Sequence, residues 1–280
     1  MSSSDAVLLH IDQHIATITL NRPARLNALD QAMTKGLMEA LDRIEAAGNS
    51  IGAVVLRGSG GTFMAGGDVR FFHDLLHQTD IPATEASSTI RTMINQVHQV
   101  ILRLTTLPQP VIARVDGAVA GFGISLMNAC DLAIAAEDTI FTLAYCHIGT
   151  SPDGGATHSL VRLVGMKKAK EIALLGGRFD AHEAERLGLI NQVVASADLD
   201  AATTALAIRL ANGPRHALAQ TKALLNAAPG NSLPEQLAAE ADAFAACTFD
   251  PDFYEGVTAF IEKRKPAFGN PATSRQGTAL

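Results

Sequence analysis

Three stretches of this sequence hold residues whose types and spacing could do chemistry. The first is "HIGTSPDGGATHSL", residues 147–160, where Asp153 sits among small residues between an apolar run and a helix-like segment. Turn chemistry alone accounts for such a segment: Pro152 sets φ, Asp153 bonds its own backbone, and Gly154 and Gly155 accept positive φ. A carboxylate in the same turn could also move protons, and the local sequence leaves both readings open. The other two stretches, "GTFMAGGDVRFF" and "VDGAVAGFGISL", share a design. Each runs from a strand through small residues into a helix start. Glycines let a backbone approach a ligand closely, and a helix start offers unpaired N–H groups. Two such N–H groups aimed at one point would form an oxyanion hole. Either loop alone reads equally well as an ordinary glycine turn.

The elements that would position these loops follow from periodicity. "AVLLHIDQHIATITL" reads as a hairpin turning at Asp12–His14. Leu29, Met33, Leu37, Leu41 and Ile44 keep helical spacing, and Gly48 is a C-cap candidate. "IGAVVLRGSG" is a buried strand entering a glycine-rich loop, and "DVRFFHDLL" is helical. Residues 73–88 read as a polar, irregular, mobile loop. Residues 89–105 are helical again. "PVIARVDGAVAG" and "DLAIAAED" are strands flanking a short helix near 122–129, and "TIFTLA" is a further strand. From 155 to 228 helices dominate, broken by the strand "INQVV". Residues 234–264 are helical, with Pro234 and Pro251 near helix starts. The pattern is α/β with a helical C-terminal part. It divides into a core over residues 1–195, a helical region over 196–268, and a disordered tail over 269–280.

Composition removes several classes of function. The chain has 280 residues, 48% hydrophobic and 18% charged, with a net charge of −6. That permits a sizeable core, and no basic run or aromatic-basic stripe suggests nucleic acid. No apolar stretch reaches the length of a membrane span, and the N-terminus has no secretory pattern. Cys130, Cys146 and Cys247 are scattered and odd in number, as expected of reduced thiols in a cytoplasm. The histidines and cysteines adopt no ligand spacing, so no metal is expected. "GAVAGFG" is a poor dinucleotide loop and no GxGxxG opens a βαβ unit, so a nicotinamide site is rejected.

Taken together, "LNRPARLNALD", "FMAGGD", "VDGAVAGFGISLMNACDLAIAAEDTIF", "GGRFDAHEAERLGLINQVV" and "FIEKRKPAF" resemble, in order, segments of the crotonase, or enoyl-CoA hydratase/isomerase, superfamily. The resemblance covers about residues 7–268. It implies a crotonase-like (ββα) spiral core, a helical C-terminal trimerisation region giving a homotrimer or dimer of trimers, and acyl-CoA thioester substrates with no permanently bound cofactor. It assigns the two oxyanion-hole N–H groups to Gly67 and Phe122. Phe122 stands where the family usually has glycine. Only its N–H is needed, and its ring could narrow the acyl pocket. For coenzyme A the resemblance implies contacts from Arg22, Arg25 and Leu26, from the Ala65 backbone near the adenine, and from Gly67 and Asp68. Phe260 and Lys263 would reach it across a subunit boundary. A plain reading of each cation is a solvated surface charge, and of Asp68 a loop anchor or helix cap.

The departures bear on the reaction. Hydratases of the superfamily carry two glutamates, and these positions are Ser125 and Tyr145 here. Ser125 would pack or cap its helix, and Tyr145 would line the acyl pocket. Neither is a carboxylate base at neutral pH. "SPDGG" resembles the phenylacetate-pathway isomerase type, which points to Asp153 as the proton-transfer group of an isomerase. An aromatic acyl-CoA dehalogenase branch also places an aspartate here, with a helical histidine twelve residues before a proline; His98 stands twelve before Pro110. That alternative makes Asp153 the nucleophile of a hydrolytic dehalogenase or thioesterase with His98 as base, though the branch has tryptophan at Tyr145. A non-catalytic acyl-CoA-binding subunit is a third reading.

Overall fold

The computed structural model describes residues 6–77 and 82–269. The chain opens with a hairpin, β1 (Val7–Asp12) and β2 (Ile15–Leu20), turned by Gln13 and His14 in left-handed conformations. There follow α1 (Gln31–Ala47), β3 (Ala53–Gly58), α2 (Val69–Leu76) and α3 (Ala83–Thr106). Next come β4 (Val111–Val115), β5 (Ala118–Ala120), α4 (Phe122–Asn128), β6 (Leu132–Ala136), β7 (Ile140–Thr142) and α5 (Ala156–Leu175). The remainder is β8 (Phe179–Asp180), α6 (Ala181–Arg186), β9 (Gln192–Val194), α7 (Leu199–Ala211), α8 (Arg215–Ala227), α9 (Leu233–Cys247) and α10 (Pro251–Ile261).

The strands form two sheets. The larger has the order β1-β2-β3-β4-β6-β9 and is parallel from β2 onward. A parallel sheet needs cover on both faces, and β3 and β4 are accordingly buried almost throughout. On one face α7 packs Leu206, Ala207 and Leu210 against Val55 and Ile112. The main core fills the other face. It includes the inner side of α1 and buries Phe63 and Phe141 completely. The smaller sheet, β5-β7-β8, borders that core. The expected α/β class with a helical C-terminal part is therefore what the chain adopts.

Two expectations need correction. Residues 73–88 are not an irregular loop where they are described, because α2 extends to Leu76 and α3 begins at Ala83. The polar residues of the stretch form the solvent face of α3. Its inner face runs through Ala86, Val97, Val100 and Leu104, all buried. "PVIARVDGAVAG" also divides at Asp116–Gly117, so that β4 joins the large sheet and β5 the small one. The expected tail at 269–280 lies outside the described residues except for Gly269.

Candidate functional site

One cavity, of about 450 Å³, gathers the chemistry. Val69 and Phe72 of α2 form part of its wall, and Ile90, Ile94 and Val97 of α3 form another part. Gly67, Phe122, Tyr145 and Asp153 line it from the loops. Its charged lining residues are Asp30 and Asp153. Asp30 is already engaged, capping α1 through the Met33 N–H at 2.8 Å and pairing with Arg22 at 3.0 Å. A larger depression of about 530 Å³, among Gln109, Arg215 and Pro251, contains none of the candidate residues.

Backbone pairing brings the two glycine loops together. The Met64 N–H donates to the Ala118 carbonyl (3.1 Å) and the Ala120 N–H to the Met64 carbonyl (2.9 Å). On the far side of the same strip, Leu29 N–H donates to Gly66 O (2.8 Å) and Asp68 N–H to Leu29 O (2.9 Å). The Gly66 carbonyl and the Gly67 N–H belong to one trans peptide and point opposite ways, so the Gly67 N–H is directed away from Leu29. Phe122 is the first residue of α4, and its N–H has no acceptor within the helix. The contact between the loops favours glycine through backbone conformation, since Gly66 and Gly121 both hold a positive φ that L side chains rarely adopt. A Cβ on Gly66, at φ +98°, would lie 3.2 Å from the Ala120 carbonyl oxygen, and one on Gly121, at φ +50°, 3.6 Å from Gly66 Cα. The strip of residues 22–30 is fastened beneath by Asn27. This residue is fully buried, and its side chain donates to the Ser59 and Thr62 carbonyls and accepts from the Arg22 N–H.

Asp153 faces this arrangement from the turn before α5. Its carboxylate accepts a hydrogen bond from the Tyr145 hydroxyl, not from the amides of its own turn. Burial, reinforced by the Asp153 charge, pushes the Tyr145 phenol further above its ordinary range. Tyr145 therefore stays protonated and acts as a fixed donor to one carboxylate oxygen. The Ser125 hydroxyl, on α4, donates to the Asp153 carbonyl at 2.8 Å. The Gly154 N–H donates to His98 Nε2 at 3.2 Å. Gly154, at φ +61°, lies under the Phe122 ring: a Cβ there would come within 2.6 Å of it. The turn and the cavity lining are thus one feature, and the turn aims the carboxyl inward.

The remaining sequence candidates fall differently. Arg22 is not a solvated charge. It is half-buried and bridges Asp30 and Asp68, at 3.0 and 3.1 Å, and it donates to the Ala28 carbonyl. Asp68 anchors its loop through this pair. Arg25 and Leu26 are exposed on the adjacent turn, and the Ala65 N–H donates to the Leu26 carbonyl at 3.0 Å. Phe260, 85% exposed on α10, and Lys263 just beyond it are not among the residues lining the cavity. His98 is the base that the hydrolytic alternative calls for. It is half-buried behind the Asp153 turn, and its Nε2 lone pair is occupied by Gly154. Ser125 does not simply pack or cap its helix, since its hydroxyl holds the Asp153 carbonyl. The links that sequence reasoning missed join residues 28 and 56 positions apart. No local pattern signals them.

The comparisons with known proteins identify the family. The sequence pattern of the enoyl-CoA hydratase/isomerase family matches residues 10–271. A Rhodobacter capsulatus protein named "Probable enoyl-CoA hydratase" is 38% identical over 267 residues, covering 95% of this chain and 98% of that one. The 1,2-epoxyphenylacetyl-CoA isomerase of Escherichia coli is 36% identical over 262 residues, covering 94% and 97%. The crystal structure of an enoyl-CoA hydratase from Polaromonas sp. JS666 superposes with a TM-score of 0.86 at 33% identity, covering 93% of this chain and 98% of that one. A match this long, on a fold whose two glycine loops meet over one cavity, leads to a plain conclusion: this chain belongs to the enoyl-CoA hydratase/isomerase family of the crotonase superfamily.

Proposed function

We propose that this protein is an acyl-CoA isomerase that stabilises a thioester enolate and moves one proton with Asp153. The observation that carries the reading is the placement of Asp153, whose acceptor atoms are not taken up by a salt bridge, in the cavity lined by Gly67 and Phe122. The N–H groups of those two residues would hold the thioester oxygen as negative charge develops on it. A carboxylate with one oxygen fixed by Tyr145 keeps the other to take a proton from one carbon and return it to another. Isomerisation needs only this single base. Both the reading and its chemistry require no cofactor beyond the coenzyme A of the substrate. The apolar wall of α2 and α3 favours an uncharged acyl group, because a carboxylate tail would meet Asp30 and Asp153 and no unpaired cation of the lining. The E. coli relative named as an isomerase supports the same reading.

Product analysis with a panel of acyl-CoA thioesters tests it. A 3-enoyl-CoA carrying deuterium at C2 is expected to yield the 2-enoyl isomer with part of the label returned to C4, as a single base handing one proton across requires. Hydrolysis of the thioester or loss of a halide with no isomer formed would instead support Asp153 as nucleophile. In that mechanism His98 would have to give up the hydrogen bond that its Nε2 accepts from the Gly154 N–H, or act through Nδ1.

Assembly follows the same reasoning. Leu233, Leu237 and Phe244 on α9 and Phe260 and Ile261 on α10 are each more than half exposed, and apolar surface of this extent marks an interface. A homotrimer or dimer of trimers would cover it and would bring Phe260 and Lys263 of one chain toward the coenzyme A of another. Light scattering is expected to give three or six times the 29.4 kDa chain mass; a stable monomer at working concentration would count against this arrangement. Among the described residues no helix is long and apolar enough to cross a membrane. Cys130, Cys146 and Cys247 are free thiols, which suits a reducing cytoplasm.

A further inference from the structure

We infer that His98 and Ser125 are positioning residues that orient Asp153 by holding a single peptide group, the one joining Asp153 to Gly154, at both ends. The carbonyl oxygen of that peptide accepts from Ser125 Oγ at 2.8 Å, and its N–H donates to His98 Nε2 at 3.2 Å. This inference rests on the proposed role of Asp153 and adds to it the means by which the carboxyl is aimed.

The sequence explains why the peptide needs holding. The turn runs from Asp153 to Ala156, closed by the Ala156 N–H on the Asp153 carbonyl at 3.2 Å, and glycine at 154 and 155, at φ +61° and +78°, leaves the backbone after the Asp153–Gly154 peptide conformationally permissive. The carboxyl is carried on the Asp153 Cα, so a turn free to shift against α3 and α4 would leave the carboxyl at a variable distance from the Phe122 N–H. A donor at one end and an acceptor at the other select one orientation. In the flipped peptide the carbonyl oxygen would face the Nε2 lone pair of His98. The supports are well placed for the purpose. Ser125 is 2% exposed on α4, the helix whose first residue, Phe122, lines the same cavity. His98 follows Val97, a wall residue of the cavity on α3. One helix therefore sets the distance between the Phe122 N–H and the Asp153 turn, and a second helix fixes the rotation of the turn. To accept from Gly154, His98 must be neutral with its proton on Nδ1.

The test compares His98→Leu, which removes the acceptor, with His98→Gln, whose amide oxygen can replace it, and with Ser125→Ala, all assayed in the full-length protein well below its unfolding temperature. His98→Leu and Ser125→Ala are each expected to lower kcat roughly tenfold or more, as misplacing a reacting group by a fraction of an ångström does, with KM within about threefold. His98→Gln is expected to recover most of the loss. A His98→Gln variant as impaired as His98→Leu would overturn the inference in favour of His98 as base, and a His98→Leu variant with unchanged kcat would overturn it outright. The 15N shifts of the His98 ring give a readout independent of turnover: Nδ1 protonated with Nε2 bare is expected, and a proton on Nε2 would overturn the inference. Asp153→Asn assayed in parallel separates the two ideas. If it retains activity the role of Asp153 fails, whereas the ring tautomer reports on the peptide contact alone.

Discussion

Asp153→Asn is expected to lower turnover of the best acyl-CoA substrate by roughly a hundredfold or more, about 3 kcal/mol of barrier, while leaving thioester affinity within a few-fold. The two halves of this expectation come from different parts of the site. Asparagine reproduces what a turn requires of aspartate: its side-chain oxygen can accept from Tyr145, and its backbone carbonyl and the Gly154 N–H still meet Ser125 and His98. The fold and the cavity should therefore persist. The N–H groups of Gly67 and Phe122 are untouched, so the site proposed for the thioester oxygen is kept. What asparagine cannot do is accept a proton and release it. Loss of kcat without loss of binding isolates that one capacity. Turnover is measured on the best substrate of a panel, and affinity by calorimetry with a non-reactive CoA thioester. Activity retained within a few-fold would make Asp153 a wall residue of the cavity and would return the question of the base to the rest of the lining.

How much of this was legible in the sequence depended on whether the determining contacts were local. The spacing of Met33, Leu37, Leu41 and Ile44 is a property of one helix, and all four are buried on α1 with Gly48 as its cap. The glycine loops and the Asp153 turn were also visible, because turn residues and helix starts have local chemical signatures. The two-residue strand β8 and the three-residue β5 are too short for any alternation to register. Whether "VDGAVA" continues one sheet or begins another is decided by partners such as Ile140–Thr142 that the local sequence does not name. The start of α3 was hidden for a different reason: with few apolar positions before Ile90, its first turns resemble a solvated loop. Arg22 shows the limit at the site itself. An arginine at the edge of a presumed coenzyme A segment reads as a free cation, yet its partner Asp68 is 46 residues away in sequence. The donors to Asp153 and Gly154's acceptor were similarly beyond reach, although each of the residues involved had been singled out for other reasons.

The other large effect concerns water addition. Crotonyl-CoA hydration by this protein is expected to be at least roughly a thousandfold slower than by a relative carrying both family glutamates, since each missing acid or base group contributes on the order of a hundredfold or more. Hydration needs one group to take a proton from water and another to deliver one to the α-carbon. The two positions that would serve are Ser125 and Tyr145. Ser125 is buried with its hydroxyl donated to the Asp153 carbonyl. Tyr145 donates to the Asp153 carboxylate, and its phenol is held protonated by burial and by that neighbouring charge. Both are engaged in presenting Asp153, so the groups that replace the glutamates serve the single carboxylate instead. Putting a glutamate back at position 125 alone is not expected to restore hydration. The Ser125 Cβ already lies 2.8 Å from where a Cβ on Gly154 would be, so a longer side chain would displace the turn that carries Asp153. The double substitution Ser125→Glu with Tyr145→Glu removes the donors to the Asp153 carbonyl and carboxylate, and any hydration it gains should come with loss of isomerisation. The assay follows loss of the conjugated enoyl thioester absorbance, with the two-glutamate relative measured in the same buffer. Hydration by the unmodified protein at a rate near that of the relative would show that serine and tyrosine at positions 125 and 145 do not prevent water addition, and would overturn the one-base isomerase reading.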